Sequence, residues 1–413
     1  MVHGGRALGR LADGQIALVR GSLPGEHVRA ELELKKGVLQ GRALEILKAS
    51  DWRVEAPDHP GLDYGFVAYE GQLELKRQVV EDALERALRR EVEVPKVRPA
   101  PEQWHYRSAI QPVVGKTGAS KAGLGYRRPE SHEVVVLEND PVANESLNNV
   151  WRAWKRLDVP KGVREMVLRG NDSGEVVACL IATTSARNLL DFAHRLLEIG
   201  VVGVGYAKHD ARGRFRKGSE RLTGKQTIRQ IYGAFDVTVN ATSFAQPSPA
   251  AASELYAALV ELASGGKRAL DLYAGSGIIG MHLLEKYERV SVLELDKSSI
   301  RRCEQDAKRL GLDLTFIHSD AKRVEIPQDI DLITVDPPRS GLNKDVRAAI
   351  DASATRQLIY VSCDVVTWAR DVADFEKLGW TLESFEPFDF YPQTHHIELL
   401  SKLVRSKKQE VRS

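Results

Sequence analysis

Residues 269–280 read Ala-Leu-Asp-Leu-Tyr-Ala-Gly-Ser-Gly-Ile-Ile-Gly. A strand of alternating character runs through Asp271 to Tyr273, and Gly275, Gly277 and Gly280 follow at the spacing G-x-G-x-x-G. Glycine lets the backbone turn tightly and approach a ligand where a helix begins. The spacing by itself serves a dinucleotide or S-adenosylmethionine equally well, so the neighbouring segments must decide.

Outward from this loop, strands and helices alternate. Helix Pro249–Leu262 precedes the first strand; strand Val290–Leu295 is followed by helix Lys297–Leu310. Strands Leu314–His318, Ile330–Asp336 and Gln357–Ser362 follow, with helices Asp345–Asp351 and Thr367–Leu378, and a closing strand pair Trp380–Phe388 and His396–Leu403. This spacing predicts βαβ units and a largely parallel, Rossmann-like sheet, which binds ligands beyond the carboxyl ends of its strands. Glu294 ends strand two, where it can hold ribose hydroxyls, and Asp320 ends strand three, beside the expected adenine. With Asp271 these make three carboxylates and no basic residue. That set suits an amine and a sulfonium, not a pyrophosphate, although Asp271 and Asp320 could equally cap helices.

Strand four ends in Asp336-Pro337-Pro338-Arg339, where two prolines stiffen the loop and aim the Asp336 carboxylate into the crevice. Strand five ends in Ser362-Cys363-Asp364, which places Cys363 as a nucleophile at a strand tip. Cys179 lies in an apolar strand and Cys303 on a charged helix, and neither is assigned chemistry. Near the end, His395 and His396 are adjacent in the expected strand and so face opposite ways, which argues against a shared metal. His396 and Glu398 would share a face, with Glu398 as a general base and His396 orienting it or holding the strand.

The rest of the chain frames this unit. Residues 1–50 alternate apolar and polar positions between glycines, with strands at Gln15–Val19, Glu26–Leu34 and Val38–Leu47, and predict a small β-barrel. Leu73–Arg90 has helical periodicity. Strands at Val134–Leu137, Val176–Ala182 and Val201–Tyr206, with helices at Pro141–Leu157 and Arg187–Ile199, predict a central α+β domain. The expected division is 1–50, 51–240 and 241–413. Lys plus Arg number 59 against 57 Asp plus Glu, so the net charge of +2 names no partner. Locally, Lys208, Arg212, Arg214, Arg216, Lys217, Arg221, Lys225 and Arg229 face only Asp210 and Glu220, a patch suited to a phosphate backbone. The tail from Ser401, with Lys402, Arg405, Lys407, Lys408 and Arg412, reads as a frayed end. Three scattered cysteines without a CxxC exclude a disulfide scaffold, no apolar run is long enough to span a bilayer, and the start lacks a signal-peptide core. A cytoplasmic protein with reduced thiols is expected. No heptad or apolar stripe demands a dimer, so a monomer is expected.

The motifs Phe244-Ala-Gln246, DLYAGSG, DPPRSGL, YVSCD and PQTHHIE, in this order, resemble those of the RNA uracil-C5 methyltransferase family over nearly the whole chain. The first fifty residues resemble the RNA-binding TRAM barrel of many members. The resemblance implies S-adenosyl-L-methionine as cofactor and 5-methyluridine in RNA as product. Cys363 would add to C6 of the uracil, and Glu398 would remove the C5 proton. Gln246, Tyr273, Gly275, Gly277, Glu294, Asp320 and Asp336 would line the cofactor and target-base pocket. It also implies ribosomal or transfer RNA as partner, with the N-terminal barrel favouring the ribosomal one, and no membrane. Alternatives are 5-methylcytidine formation by the same thiol route, or an RNA-binding or folding factor with incidental methylation. Three departures stand out. The cysteines that hold an iron–sulfur cluster in many members are absent from EAPDHPGLDYGFVAYEGQ and LENDPVAN, so no metal cluster is expected and packing alone must hold that segment. The family's Gln-x-Asn is Gln246-Pro-Ser248 here, and Ile278 stands where others carry a polar residue.

Overall fold

The computed structural model describes residues 1–117, 121–210 and 218–405. Arg212, Arg214, Arg216 and Lys217 of the basic stretch, and Lys407, Lys408 and Arg412 of the tail, lie outside the described residues.

The N-terminal strands are β1 (Ala7–Arg10), β2 (Ile16–Arg20), β3 (His27–Lys35) and β4 (Val38–Lys48). They form a four-stranded sheet in the order β1-β2-β4-β3, with β1, missed by the periodicity, at one edge and β3 at the other. Helix α1 (Tyr69–Leu88) follows. Leu75 of its apolar face packs with Leu23, Tyr64 and Val67, but most of that face serves a distant part of the chain. Val79, Val80 and Leu84 share one core with Leu270, Ile333 and Trp368 of the C-terminal unit, and Lys76 reaches Asp389 at 2.6 Å with both side chains fully buried.

The central sheet is built from β5 (Ala109–Ile110), β6 (Val113–Thr117), β7 (Lys121–Arg127), β8 (Val134–Val136), β9 (Val163–Gly170), β10 (Val176–Ala182), β11 (Val201–Lys208) and β12 (Glu220–Gly224). The order is β12-β11-β10-β9-β6-β7-β8, with β5 against β9. Helices α2 (Glu145–Trp154) and α3 (Leu190–Glu198) supply Trp151, Trp154 and Phe192 to its core. Glycines hide β7 from a propensity reading, yet Gly125 is required. A Cβ there would sit 1.9 Å from the carbonyl oxygen of Val135 on the neighbouring strand.

The segment without cluster cysteines is held by more than packing. Tyr126 donates to Asp140 Oδ2 at 2.5 Å, and His59 Nε2 lies 3.5 Å from Asp140 Oδ1. Asp140 also accepts from the Val142 amide at 3.0 Å. A buried carboxylate thus ties the 51–68 stretch to the 138–148 stretch. Among the described residues no group of three or more His, Cys, Asp or Glu is placed to hold a metal ion, and no helix is long and apolar enough to cross a membrane.

A hairpin, β13 (Thr227–Tyr232) and β14 (Phe235–Asn240), leads into the C-terminal unit and packs into its core through Ile228, Tyr232, Val237 and Val239. Helix α4 (Pro249–Leu262) is started by Ser248, whose Oγ accepts from the Ala251 amide at 3.3 Å, with Pro249 in the first turn. That capping duty is what the serine performs in place of the expected asparagine. Then come β15 (Gly266–Leu272), α5 (Ile278–Leu283), β16 (Tyr287–Glu294), α6 (Lys297–Leu310), β17 (Leu314–His318), β18 (Leu332–Val335), α7 (Lys344–Ala352), β19 (Gln357–Ser362), α8 (Val365–Lys377), β20 (Trp380–Phe388) and β21 (Glu398–Arg405). They form a seven-stranded sheet, β17-β16-β15-β18-β19-β21-β20, in which the first five are mutually parallel and β21 runs antiparallel to both its neighbours, β19 and β20. Alternation along the strands sends Leu332, Ile359 and Val361 into the core under α4 to α6, and Ile333, Leu358 and Tyr360 into the core under α1, α7 and α8. Strand order reverses between β15 and β18, which fixes the ligand crevice at their carboxyl ends.

Candidate active site

A cavity of about 940 Å³ opens there. It gathers Gln246, Tyr273, Gly275, Glu294, Asp320, Asp336, Cys363 and Glu398 around one space. Gly277 is the exception among the expected pocket residues. It sits at φ +72° as the cap of α5, and a Cβ there would lie 2.1 Å from Cys303 Sγ, so its role is close packing of the loop on α6. Ile278 likewise points into the core, where it is buried.

The cofactor half is ordered by Glu294. Its Oε2 accepts from the Gly275 amide at 2.9 Å and its Oε1 from the Asp296 amide at 2.7 Å, which locks the glycine loop to the end of β16. Tyr273 turns the chain out of β15 with φ +62°, a conformation that side chains rarely adopt and that marks a functional turn. Asp320 lines the cavity and also caps a short turn through the Lys322 amide at 3.0 Å. Asp271 does not reach the cavity. It is fully buried beneath the loop, takes the Thr334 hydroxyl at 2.7 Å, and is pushed up to about 7 by burial. Asp296 takes its place beside Glu294 and Asp320 in the lining. The lining also carries Arg302 and Arg339, so the expectation of a site without basic residues is corrected. Arg302 comes from α6, where helical periodicity gave no hint of it.

The opposite wall is a loop that the central domain grips by its carbonyls. Arg169 donates to Ser243 O at 2.8 Å, Tyr232 to Gln246 O at 2.7 Å, and the Ser108 amide to Pro247 O at 2.7 Å. Phe244 stands out from this loop into the cavity, 67% exposed.

The reactive end is acidic. Glu398 is buried, and neither carboxylate oxygen has a hydrogen-bond partner among the described residues. Burial, and then the neighbouring Asp336, hold it well above the usual carboxylate range, while Arg339 opposes them. Burial pushes Asp336 up to about 7. The Cys363 thiol is pushed up to about 12 by burial and by the same two carboxylates, with Arg339 drawing it down. Cys179 and Cys303 are buried away from the cavity.

The two histidines differ from expectation. Strand β21 begins only at Glu398, because Gln393 takes φ +68° and delays the chain's entry into the ladder. His395 and His396 therefore precede the strand, and their rings lie against each other, centroids 4.2 Å apart. His395 bonds Asp63, and His396 lines the cavity, held at about 3 by burial and by His395, hence neutral. No hydrogen bond joins His396 to Glu398, so the orienting role is not seen. The sequence also gave no sign of His3, whose Nε2 lies 3.4 Å from Asp364 beside Cys363.

A parallel sheet with a glycine loop, carboxylates at the ends of its second and third strands and no phosphate cradle defines an S-adenosylmethionine-dependent methyltransferase. The lining fits such a cofactor in its chemistry, with carboxylates at Glu294 and Asp320 and an open backbone at Gly275. The family described as tRNA (Uracil-5-)-methyltransferase matches residues 324–406, and the methyltransferase small domain matches residues 234–360. An RNA methyltransferase of Gloeobacter violaceus is 28% identical over 98% of this chain and 95% of its own. Another from Caldanaerobacter subterraneus is 29% identical over 98% and 96%. The crystal structure of Pyrococcus abyssi tRNA (uracil-54, C5)-methyltransferase in complex with S-adenosyl-L-homocysteine is 25% identical, covers 97% of this chain and 100% of that one, and superposes with a TM-score of 0.76. Over nearly its whole length the chain is similar to RNA uracil-C5 methyltransferases, and it is an RNA methyltransferase that uses S-adenosylmethionine.

Proposed function

We propose that the protein methylates C5 of a uridine in structured RNA, with Cys363 as nucleophile and Glu398 as base. The observation that carries this reading is the convergence of a strand-tip thiol and a buried, unpartnered carboxylate in the cavity that holds the cofactor carboxylates. Uracil C5 is too weak a nucleophile to be methylated directly. Addition of Cys363 Sγ to C6 moves the ring electrons onto C5 and O4, and the thiol proton passes to Asp336. C5 then takes the methyl group, which the sulfonium of the cofactor supplies. Glu398 removes the C5 proton, the C5–H electrons restore the ring double bond, and Sγ leaves and recovers its proton from Asp336. A carboxylate raised by burial and by Asp336 is the stronger base for taking the C5 proton.

The base must leave its stack to meet Cys363; Phe244, His396 and Tyr391 supply flat surfaces around the space it enters. The expectation of ribosomal RNA rested on the N-terminal strands. A transfer RNA enzyme matches 97% of the chain, strands included, so those strands do not discriminate between the two RNAs. The test is incubation with methyl-labelled S-adenosylmethionine and, separately, unmodified ribosomal and transfer RNA, followed by nucleoside mass spectrometry. 5-Methyluridine is expected, and is lost in Cys363→Ala. 5-Methylcytidine would overturn the base assignment, and full turnover by Cys363→Ala would overturn the thiol route.

A further inference from the structure

One face of the N-terminal sheet is basic, and a single carboxylate from another part of the chain sits on it. The pairings Leu18–Gln40, Arg20–Arg42, Glu33–Gln40 and Lys35–Val38 put Arg20, Arg42, Gln40 and Lys35 on the same face. The Ala7–Val19 pair brings Arg6 beside Arg20. Glu130 arrives from the loop between β7 and β8. Its Oε1 takes Arg6 Nη2 at 2.7 Å and Arg20 Nη2 at 3.4 Å, and its Oε2 takes Lys35 Nζ at 2.8 Å. Lys35 also meets Glu33, and Arg42 meets Glu31. For Arg6 and Arg20, Glu130 is the one carboxylate within ion-pair distance among the described residues.

Three properties separate this arrangement from an ordinary strut. Glu130 holds φ +58°, in the left-handed region that a glutamate rarely adopts. Its side chain is half exposed, so its ion pairs are screened and easily exchanged. Counting Glu33 beside Lys35, two carboxylates face three cations, and Arg6 and Arg20 share the one oxygen of Glu130 in the way guanidinium groups meet a phosphate oxygen. Position adds a fourth observation. Arg6 lies three residues after His3, which touches Asp364, the residue after Cys363, and three residues span at most about 11 Å.

We propose that Arg6, Arg20 and Lys35 form a phosphodiester site for the RNA substrate, occupied in the free protein by the Glu130 carboxylate as a stand-in that RNA must displace. This rests on the reading of the chain as an enzyme acting on RNA, and adds to it a built-in competitor. The cost of displacement weakens binding of RNA that engages the N-terminal sheet without entering the cavity, and so favours substrates that span both.

The experiment uses the full chain and a fluorescein-labelled RNA hairpin carrying a loop uridine, with anisotropy titrations over a range of sodium chloride concentrations. Glu130→Gln is expected to bind about three- to tenfold more tightly at low salt, with the gain fading as salt screens the face. In an Arg6→Gln/Arg20→Gln/Lys35→Gln background, binding weakens, its salt dependence flattens, and Glu130→Gln no longer helps. Unchanged or weaker binding by Glu130→Gln would overturn the proposal and leave Glu130 as an interdomain strut. Wild-type protein that binds S-adenosylhomocysteine but no RNA at any salt concentration would instead overturn the RNA reading on which the proposal rests.

Discussion

Replacing Lys76 by methionine tests how the catalytic wall is held. Lys76 Nζ donates to Asp389 Oδ1 at 2.6 Å and to Tyr391 O at 3.2 Å, and both side chains of the ion pair are fully buried. Asp389 also accepts from the Tyr391 amide at 3.2 Å, so the pair sets the start of the segment that carries Tyr391, His396 and Glu398. Methionine fills the volume but leaves Asp389 buried without a counter-charge, which costs about 3–5 kcal/mol. For a cooperative unit of roughly 150–250 residues that corresponds to a fall in Tm of about 6–20 °C. The double variant Lys76→Met/Asp389→Asn removes the uncompensated charge and should recover most of the loss, since neutral replacement of a buried pair is far cheaper than breaking it. Thermal and urea unfolding of the three proteins, followed by tryptophan fluorescence, measures this, with Trp368 and Trp380 in the affected core. A single variant within about 1 kcal/mol of the parent, or a double variant no better than the single, would refute the reasoning.

Glu398→Gln should methylate but stall at elimination, giving a protein–RNA adduct that survives denaturing electrophoresis; its absence alongside normal turnover removes Glu398 as the base. Alkylation of Cys363 by iodoacetamide should rise about tenfold per pH unit from 7 to 9 without levelling, because a thiol held at about 12 gains thiolate in proportion across that range. An ordinary cysteine would level off above about 8.5, and such a plateau would show that the carboxylates do not hold this thiol up. Arg339→Ala should slow the alkylation further. Gly277→Ala should destabilise by about 2–4 kcal/mol, from the left-handed backbone and the clash with Cys303. In Gly277→Ala/Cys303→Ala the clash goes and the backbone cost stays, so calorimetry should find partial recovery.

The C-terminal sheet was legible because its local signals agree with its fold. Helix α6 starts at Asp296, which caps through the Ser299 amide, ends at Gly311 in the left-handed region, and matches Lys297–Leu310 read from the periodicity. Strands β17, β19 and β20 also fall on the residues that alternation marked. The central sheet was harder, because β6 and β7 are broken by glycines that serve close strand approach and leave no alternation to read. Among site residues, those at strand ends were accessible from the sequence, since the topology itself delivers them to one crevice. Asp271 and Gly277 belong to the same motif but serve the core, Asp271 by turning to Thr334 beneath the loop and Gly277 by backbone packing against Cys303. Arg302 reaches the cavity, and His3 reaches Asp364, from elements whose sequence is ordinary, so only three-dimensional proximity reveals them. The reading of His396 failed through a register effect: one left-handed residue at Gln393 shortens the strand and brings two rings together.

The early position of α1 also matters on the ribosome. The helix is made first, yet Trp368 and the other residues that cover it follow about 280 positions later. At about 5–20 residues per second, Val79, Val80 and Leu84 wait roughly a quarter of a minute to a minute for their partners. During that wait Lys76 is a hydrated charge in the middle of the apolar stripe, and such a charge discourages association with other nascent chains. The same ammonium that fixes the catalytic wall in the finished enzyme acts during synthesis as the helix's solubilising group.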